Sequence, residues 1–322
     1  MRAGRAAHAP VIDFMNHTTL PLRLPRFVER RGDAALKQLL QPPGARVVDF
    51  RQPAGDDALV GPDSVSWRIF KNPVSLFVGG VAAVILELAE PAVRTGVWEH
   101  SSFRTDPIGR LQRTGLAAMV TVYGARAQAE AMIAGVVRRH ARVAGHTPDG
   151  EAYGANDVAL LTWVQATAGF GFAQAYHRYV HALSEAEFSR LYDEGAPAAR
   201  LYGALDAPTN EAEMQALFES MRPRLEPSPI VFEFLAIMRS APALPAPLRP
   251  LQRLLVRAAV EMTPGWVRER LGLDASFGLR PWQAGWVRRA GALSDRIVLP
   301  ANPAVQACLR LGLPPDHLYR QR

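Results

Sequence analysis

From about Asn72 the chain keeps a helical period, broken only by residues that start or stop helices, with no convincing alternating strand. That pattern constrains the fold more than any other feature, because amphipathic helices must bury their apolar stripes on one another. An apolar helix is predicted over 73–89, stopped near Pro91. Thr105 or Asp106 caps the next, with Pro107 in its first turn, and Gly124 ends it. A third runs over 125–144 and stops at Gly145. Asn156 or Asp157 then caps a long helix through Trp163 and Tyr176 to Ala182, and Ser184 with Glu187 forms a capping box for another. Further helices are predicted over 210–221, 230–240, 248–262 and 266–271, with the proline-rich stretch 242–250 as a hinge or loop. Residues 1–65 are rich in Pro, Gly and Arg and carry no long periodic segment. They read as an irregular arm with short helices, such as 33–40, and one short strand candidate over 45–50. The expectation is an all-α protein: a single compact multi-helix domain over 66–322 with an N-terminal arm over 1–65.

Composition supports a packed core: 48% of residues are hydrophobic and 21% charged across 322. The single cysteine, Cys308, excludes a disulfide framework and any cysteine-based zinc site. The N-terminal residues have charge but no apolar run behind them, so no signal peptide is expected and the default location is cytoplasmic. Residues 74–86 are too few to span a bilayer and read as a buried helix, so no transmembrane segment is expected. The net charge of +7 comes almost entirely from scattered arginine, since lysine occurs only at Lys37 and Lys71. No nucleic-acid motif accompanies it, so no nucleic-acid partner is expected; a loose attraction to an anionic membrane surface is the better use of such charge.

Polar groups on otherwise apolar helices mark the candidate site. The run Asp106-Pro107-Ile108-Gly109-Arg110-Leu111-Gln112-Arg113-Thr114 is followed 26 residues later by His140. Arg110 and Thr114 share a helix face and Arg113 flanks them. His140 lies on the stripe Ala129, Met132, Ile133, Val136, Val137. Two readings stand for each: Arg110 either holds an anion or oxygen species or pairs with Glu87, Glu90 or Glu99, and His140 is either a satisfied core residue or a ligand. His177 and His181, four apart, could chelate a metal, but no third ligand stands beside them. Gly169 and Gly171 allow close approach of another helix or of a flat cofactor.

Several short segments, taken in order, carry a resemblance. They are the run from Glu90 through Trp98-Glu99-His100-Ser101 to Phe103, the 106–114 run, Tyr123-Gly124, and the run from His140 to Gly145. After these come Tyr153-Gly154-Ala155-Asn156-Asp157, Trp163 to Thr167, Leu183-Ser184, Tyr192-Asp193-Glu194 and the run Val267 to Leu273. Together they resemble the MpaB-type oxygenases, whose catalytic domain is shared with the latex-clearing proteins (rubber oxygenases), over about 65–275. The resemblance implies an all-α fold enclosing a pocket for haem b, and oxidative cleavage of carbon–carbon double bonds in isoprenoid chains with dioxygen. It implies His140 as the ligand to the haem iron, and Arg110 and Thr114 near bound oxygen.

The chain also departs from that pattern. Latex-clearing proteins carry a lysine where this chain has Arg113, and that lysine can ligate the iron in a closed form. A guanidinium offers no lone pair, so the closed form is not expected here. Many relatives have histidine where this chain has Glu90 and Gln165. The rubber-cleaving branch uses a carboxylate base, for which Glu87, Glu90 and Glu99 are all candidates. The resulting expectation is a haem-dependent oxygenase acting on a hydrophobic, unsaturated small substrate with dioxygen, with Arg110, Arg113 and Thr114 as catalytic residues. Rubber itself is not the expected substrate. The alternative is a non-enzymatic haem- or lipid-binding helical protein that keeps the fold.

Overall fold

The computed structural model describes residues 20–40, 42, 44 and 47–320. Fifteen α-helices, one 3-10 turn (Ala246–Leu248) and one two-stranded hairpin make up its regular structure among those residues. The chain is all-α, as the helical period requires.

The central helix is α3 (Pro73–Glu87), started by Asn72, whose Oδ1 accepts from Val74 N and Ser75 N at 3.0 and 3.1 Å. It is apolar all round, as a helix must be when it is covered on every side. Against it lies α7 (Val158–Tyr179), and the two cross almost backbone to backbone. A Cβ on Gly171 would stand 2.5 Å from the Gly79 carbonyl oxygen, and one on Gly79 would stand 2.8 Å from that of Gly171. Only glycine permits this crossing. α11 (Arg249–Met262) and α13 (Pro281–Ser294) pack on α3 and α7, and α10 (Pro229–Ser240) packs on α11.

A second core joins α5 (Pro107–Tyr123) and α6 (Arg126–His140), an antiparallel pair turned at Gly124, to α14 (Pro303–Arg310) and to Phe50, Ala58 and Leu59 from the N-terminal region. Buried Arg310 binds this core together, donating to the carbonyls of Phe50, Tyr123 and Asp56 at 2.9, 2.7 and 2.8 Å. α8 (Glu185–Tyr202) is opened by the Ser184–Glu187 capping box and spans the gap between α6 and α7.

Several elements differ from the sequence expectation. α1 runs Arg26–Leu40, not 33–40, because Gly32-Asp33 reads as a helix start but lies within the helix. Residues 47–50 form no strand, and 45–46 lie outside the described residues. Pro91 does not merely stop α3; it opens α4 (Pro91–His100), capped by the Glu90 carboxylate. α6 ends at His140, and its continuation forms a hairpin of β1 (Ala144–His146) and β2 (Ala152–Gly154), too short for alternation to show. No single helix among the described residues is long and apolar enough to cross a membrane, and the one pair that would qualify, α3 with α4, bends by 112°.

Candidate active site between α3, α5, α6 and α7

Four helices bring polar groups to one place. α3 delivers Glu87 in its last turn, and α5 delivers Arg110 and Thr114 in its first two. α5 starts where it does because the Asp106 carboxylate accepts from Gly109 N at 2.9 Å and Pro107 fits the first turn. Because α6 returns antiparallel to α5, its last residue, His140, comes back to the level at which α5 begins. α7 contributes Thr167, whose hydroxyl lies 3.5 Å from a Glu87 oxygen.

The electrostatics tie these groups together. Burial pushes the Glu87 carboxyl up to about 7, and Arg110 and the Thr167 hydroxyl only partly oppose it. Burial lowers the Arg110 guanidinium, with Glu87 working against that shift and Arg113 adding to it. The same desolvation, joined by Arg139 and Arg110, lowers His140, so its imidazole is neutral at pH 7. His140 Nδ1 is buried and finds no hydrogen-bond partner among the described residues. A satisfied core histidine would have one.

Arg110 donates to the Thr114 hydroxyl, which in turn donates to the Arg110 carbonyl at 2.9 Å. This brace fixes the guanidinium on the face of α5 that continues to Ala118 and Val122. Arg113 is not brought into the cluster. It is exposed and donates to Ser102 Oγ at 2.5 Å and Asp106 Oδ2 at 3.4 Å, at the surface.

The three candidate carboxylates separate cleanly. Glu90 is fully buried but occupied, capping α4 through Val93 N at 2.7 Å and pairing with Arg224 at 2.8 Å. Glu99 is exposed. Glu87 alone faces Arg110 without forming a contact ion pair, and so keeps a proton to exchange. Glu194 is likewise occupied, accepting from Val65 N, Ser66 N and Ser66 Oγ at the start of α2 (Val65–Phe70).

α5 packs on α1, α2, α6 and α14, whereas α7 packs chiefly on α3, α8 and α13, with α2 touching both. Between α5 and α7 lies a cavity of about 180 Å³, walled by Phe70, Ala118, Val122, Ala168, Gly169 and Phe172, with Gln165 as a polar member. On α5 its lining begins at Ala118, one turn beyond Thr114, and His140, Arg110, Thr114 and Glu87 do not form its walls. The two glycines of α7 thus divide their work: Gly171 admits α3, and Gly169 opens the cavity. His177 and His181 do not converge on an ion. His177 Nδ1 accepts from Leu183 N at 2.9 Å, and His181 approaches Asp295 at 3.5 Å. No cluster of three or more His, Cys, Asp or Glu suited to holding an ion occurs among the described residues.

The helices thus gather a half-buried arginine, a carboxyl raised toward neutrality and an imidazole with an unpartnered ring nitrogen. Among known families, the model described as "ER-bound oxygenase mpaB/B'/Rubber oxygenase, catalytic domain" matches residues 67–295, and the chain belongs to that family. Its class of activity is therefore that of an oxygenase. No curated protein and no solved structure matches the chain.

Proposed function

We propose that this protein is a haem b-dependent oxygenase that acts with dioxygen on a hydrophobic, unsaturated, isoprenoid-like small substrate. The observation that carries the reading is the buried, unpartnered Nδ1 of His140, neutral at pH 7 and gathered with Arg110 and Glu87 from three different helices. A neutral imidazole with a free ring nitrogen has the donor chemistry that would let it ligate haem iron. The unpartnered ring nitrogen suits the donor that haem iron needs, and His140 is the residue that would hold the group. When bound, haem supplies the activation of dioxygen.

The chain's own residues do the rest. Arg110 provides a fixed cation where negative charge develops during oxygen transfer, and Thr114 holds that cation in one orientation. Glu87, balanced near neutrality, takes up or returns a proton at its carboxyl oxygen, with the Thr167 hydroxyl beside it. The apolar walls between α5 and α7 accept hydrocarbon and exclude water. Arg113 stands at the surface rim, where a guanidinium has no lone pair to offer a metal.

The test is oxygen uptake and carbonyl-product formation by purified protein over a panel of terpenoid and carotenoid alkenes, beside Arg110→Ala. Turnover of at least one alkene is expected, with a loss of about a hundredfold in the variant. Full turnover by Arg110→Ala would remove its assigned role. No oxygen uptake with any alkene would overturn the oxygenase reading in this form.

A further inference from the structure

Helix α13 carries a surface that the site does not use. Trp282, Trp286 and Leu293 are 62%, 54% and 52% exposed, far above what isolated apolar residues at a core boundary would show. At 3.6 residues per turn these three and Arg289 fall within about 60° of arc, while Val287 and Gly291 on the opposite side are buried. The Arg289 guanidinium lies over the Trp286 ring at 5.4 Å. No acidic residue occurs in α13, and Arg280, Arg288 and Arg289 accompany the indoles. Just past the helix, Leu22 pairs with Ile297, and Arg296 Nε donates to the Leu20 carbonyl at 3.1 Å. That contact places the 72%-exposed Leu20 beside the end of α13. The segment then leads into α1, where Phe27 is 67% exposed among exposed Arg26, Arg30 and Arg31.

We infer that the Trp282–Trp286–Leu293 face of α13, with its flanking arginines, docks the protein on an anionic lipid bilayer surface. Indole rings with an apolar body and a polar N–H settle at the headgroup level, and arginines beside them are drawn to acidic headgroups. Charge decides among the possible occupants. A second copy docked face to face would set Arg289 against the like charge of its equivalent. Residues 1–19 have only Arg2, Arg5 and Asp13 as charged side chains, so their net charge has the same sign as the face. A free polyanion would leave Leu293 and Leu20 without an apolar phase to enter. An acidic bilayer satisfies both the charge and the apolar stripe. None of these residues lines the cavity or belongs to the Glu87–Arg110–His140 cluster, so the inference does not depend on the proposed chemistry.

The test is flotation of the full chain with phosphatidylcholine vesicles, with and without phosphatidylglycerol, while following tryptophan emission. Binding is expected only with the acidic lipid, accompanied by a blue shift. Trp282→Ala/Trp286→Ala should weaken it about tenfold or more, and Arg288→Gln/Arg289→Gln about fivefold per charge removed. Both variants change exposed positions and should keep the wild-type circular dichroism melt. Failure to bind acidic vesicles, or binding that neither double variant weakens, would overturn the inference. So would a dimer in sedimentation equilibrium that the tryptophan variant dissociates without any vesicle binding, which would assign the face to self-association. Equal capture by single-stranded RNA, lost in the same variant, would assign it to a polyanion.

Discussion

Glu87→Gln isolates a carboxyl whose titration burial carries toward neutrality. In the unfolded chain this carboxyl has its ordinary value of 4.5; in the folded protein burial holds it at about 7. A group whose folded value is raised contributes stability that is complete below the unfolded value and is lost as pH rises through the folded one. Carrying the proton affinity from 4.5 to about 7 corresponds to about 3 kcal/mol. The wild type should therefore lose roughly that much, relative to Glu87→Gln, between pH 4 and pH 8. Glutamine resembles the protonated carboxyl in shape and can still accept from Thr167, so the variant should match the wild type at low pH and exceed it at high pH. All other titrating groups are shared, so they cancel in the difference. Urea unfolding of both proteins across that pH range measures it directly. A wild-type-minus-variant difference that stays flat with pH would refute the burial argument. A difference that opens below pH 5 would mean Glu87 is ionised and paired after all.

Other perturbations follow from the packing. Gly171→Val should destabilise the protein by about 3 kcal/mol or more in thermal melts, because even its Cβ would stand 2.5 Å from the Gly79 carbonyl oxygen at the backbone crossing. Lys71→Ala leaves the buried Asp295 carboxylate without its 2.7 Å partner and should cost about 3–5 kcal/mol of unfolding free energy. Ser184→Ala removes one half of the α8 capping box and should cost about 1 kcal/mol, read by denaturant titration.

What could be read from the sequence is largely what is local. Asp106 and Ser184 cap helices in the structure as the sequence indicates, because a cap needs only its next few backbone N–H groups; Asp157 precedes α7 but makes no side-chain cap bond. Pro91 is ambiguous because proline both follows helices and opens them, and only the Glu90 cap decides between the two. α13 and α14 are not legible in the sequence although each opens on a proline; α13 begins after Arg280, which is no usual cap, and α14, at 8 residues, spans barely two turns. In the site, the Arg110–Thr114 brace follows from spacing alone, since residues four apart on a helix meet. The choice among Glu87, Glu90 and Glu99 could not follow from spacing. It rests on Arg224, a residue 134 positions from Glu90, and on which helix end is exposed. The neutral state of His140 likewise depends on where α6 stops, and that was read four residues late.

The central claim, that His140 holds haem beside Arg110 and Glu87, is tested most directly by one spectrum. Protein purified after growth with added haem is recorded oxidised and dithionite-reduced, beside His140→Ala. The account predicts a Soret band in the wild type that is lost or shifted in the variant, with the circular dichroism of both unchanged. A wild type without a Soret band, or a band identical in His140→Ala, would contradict it.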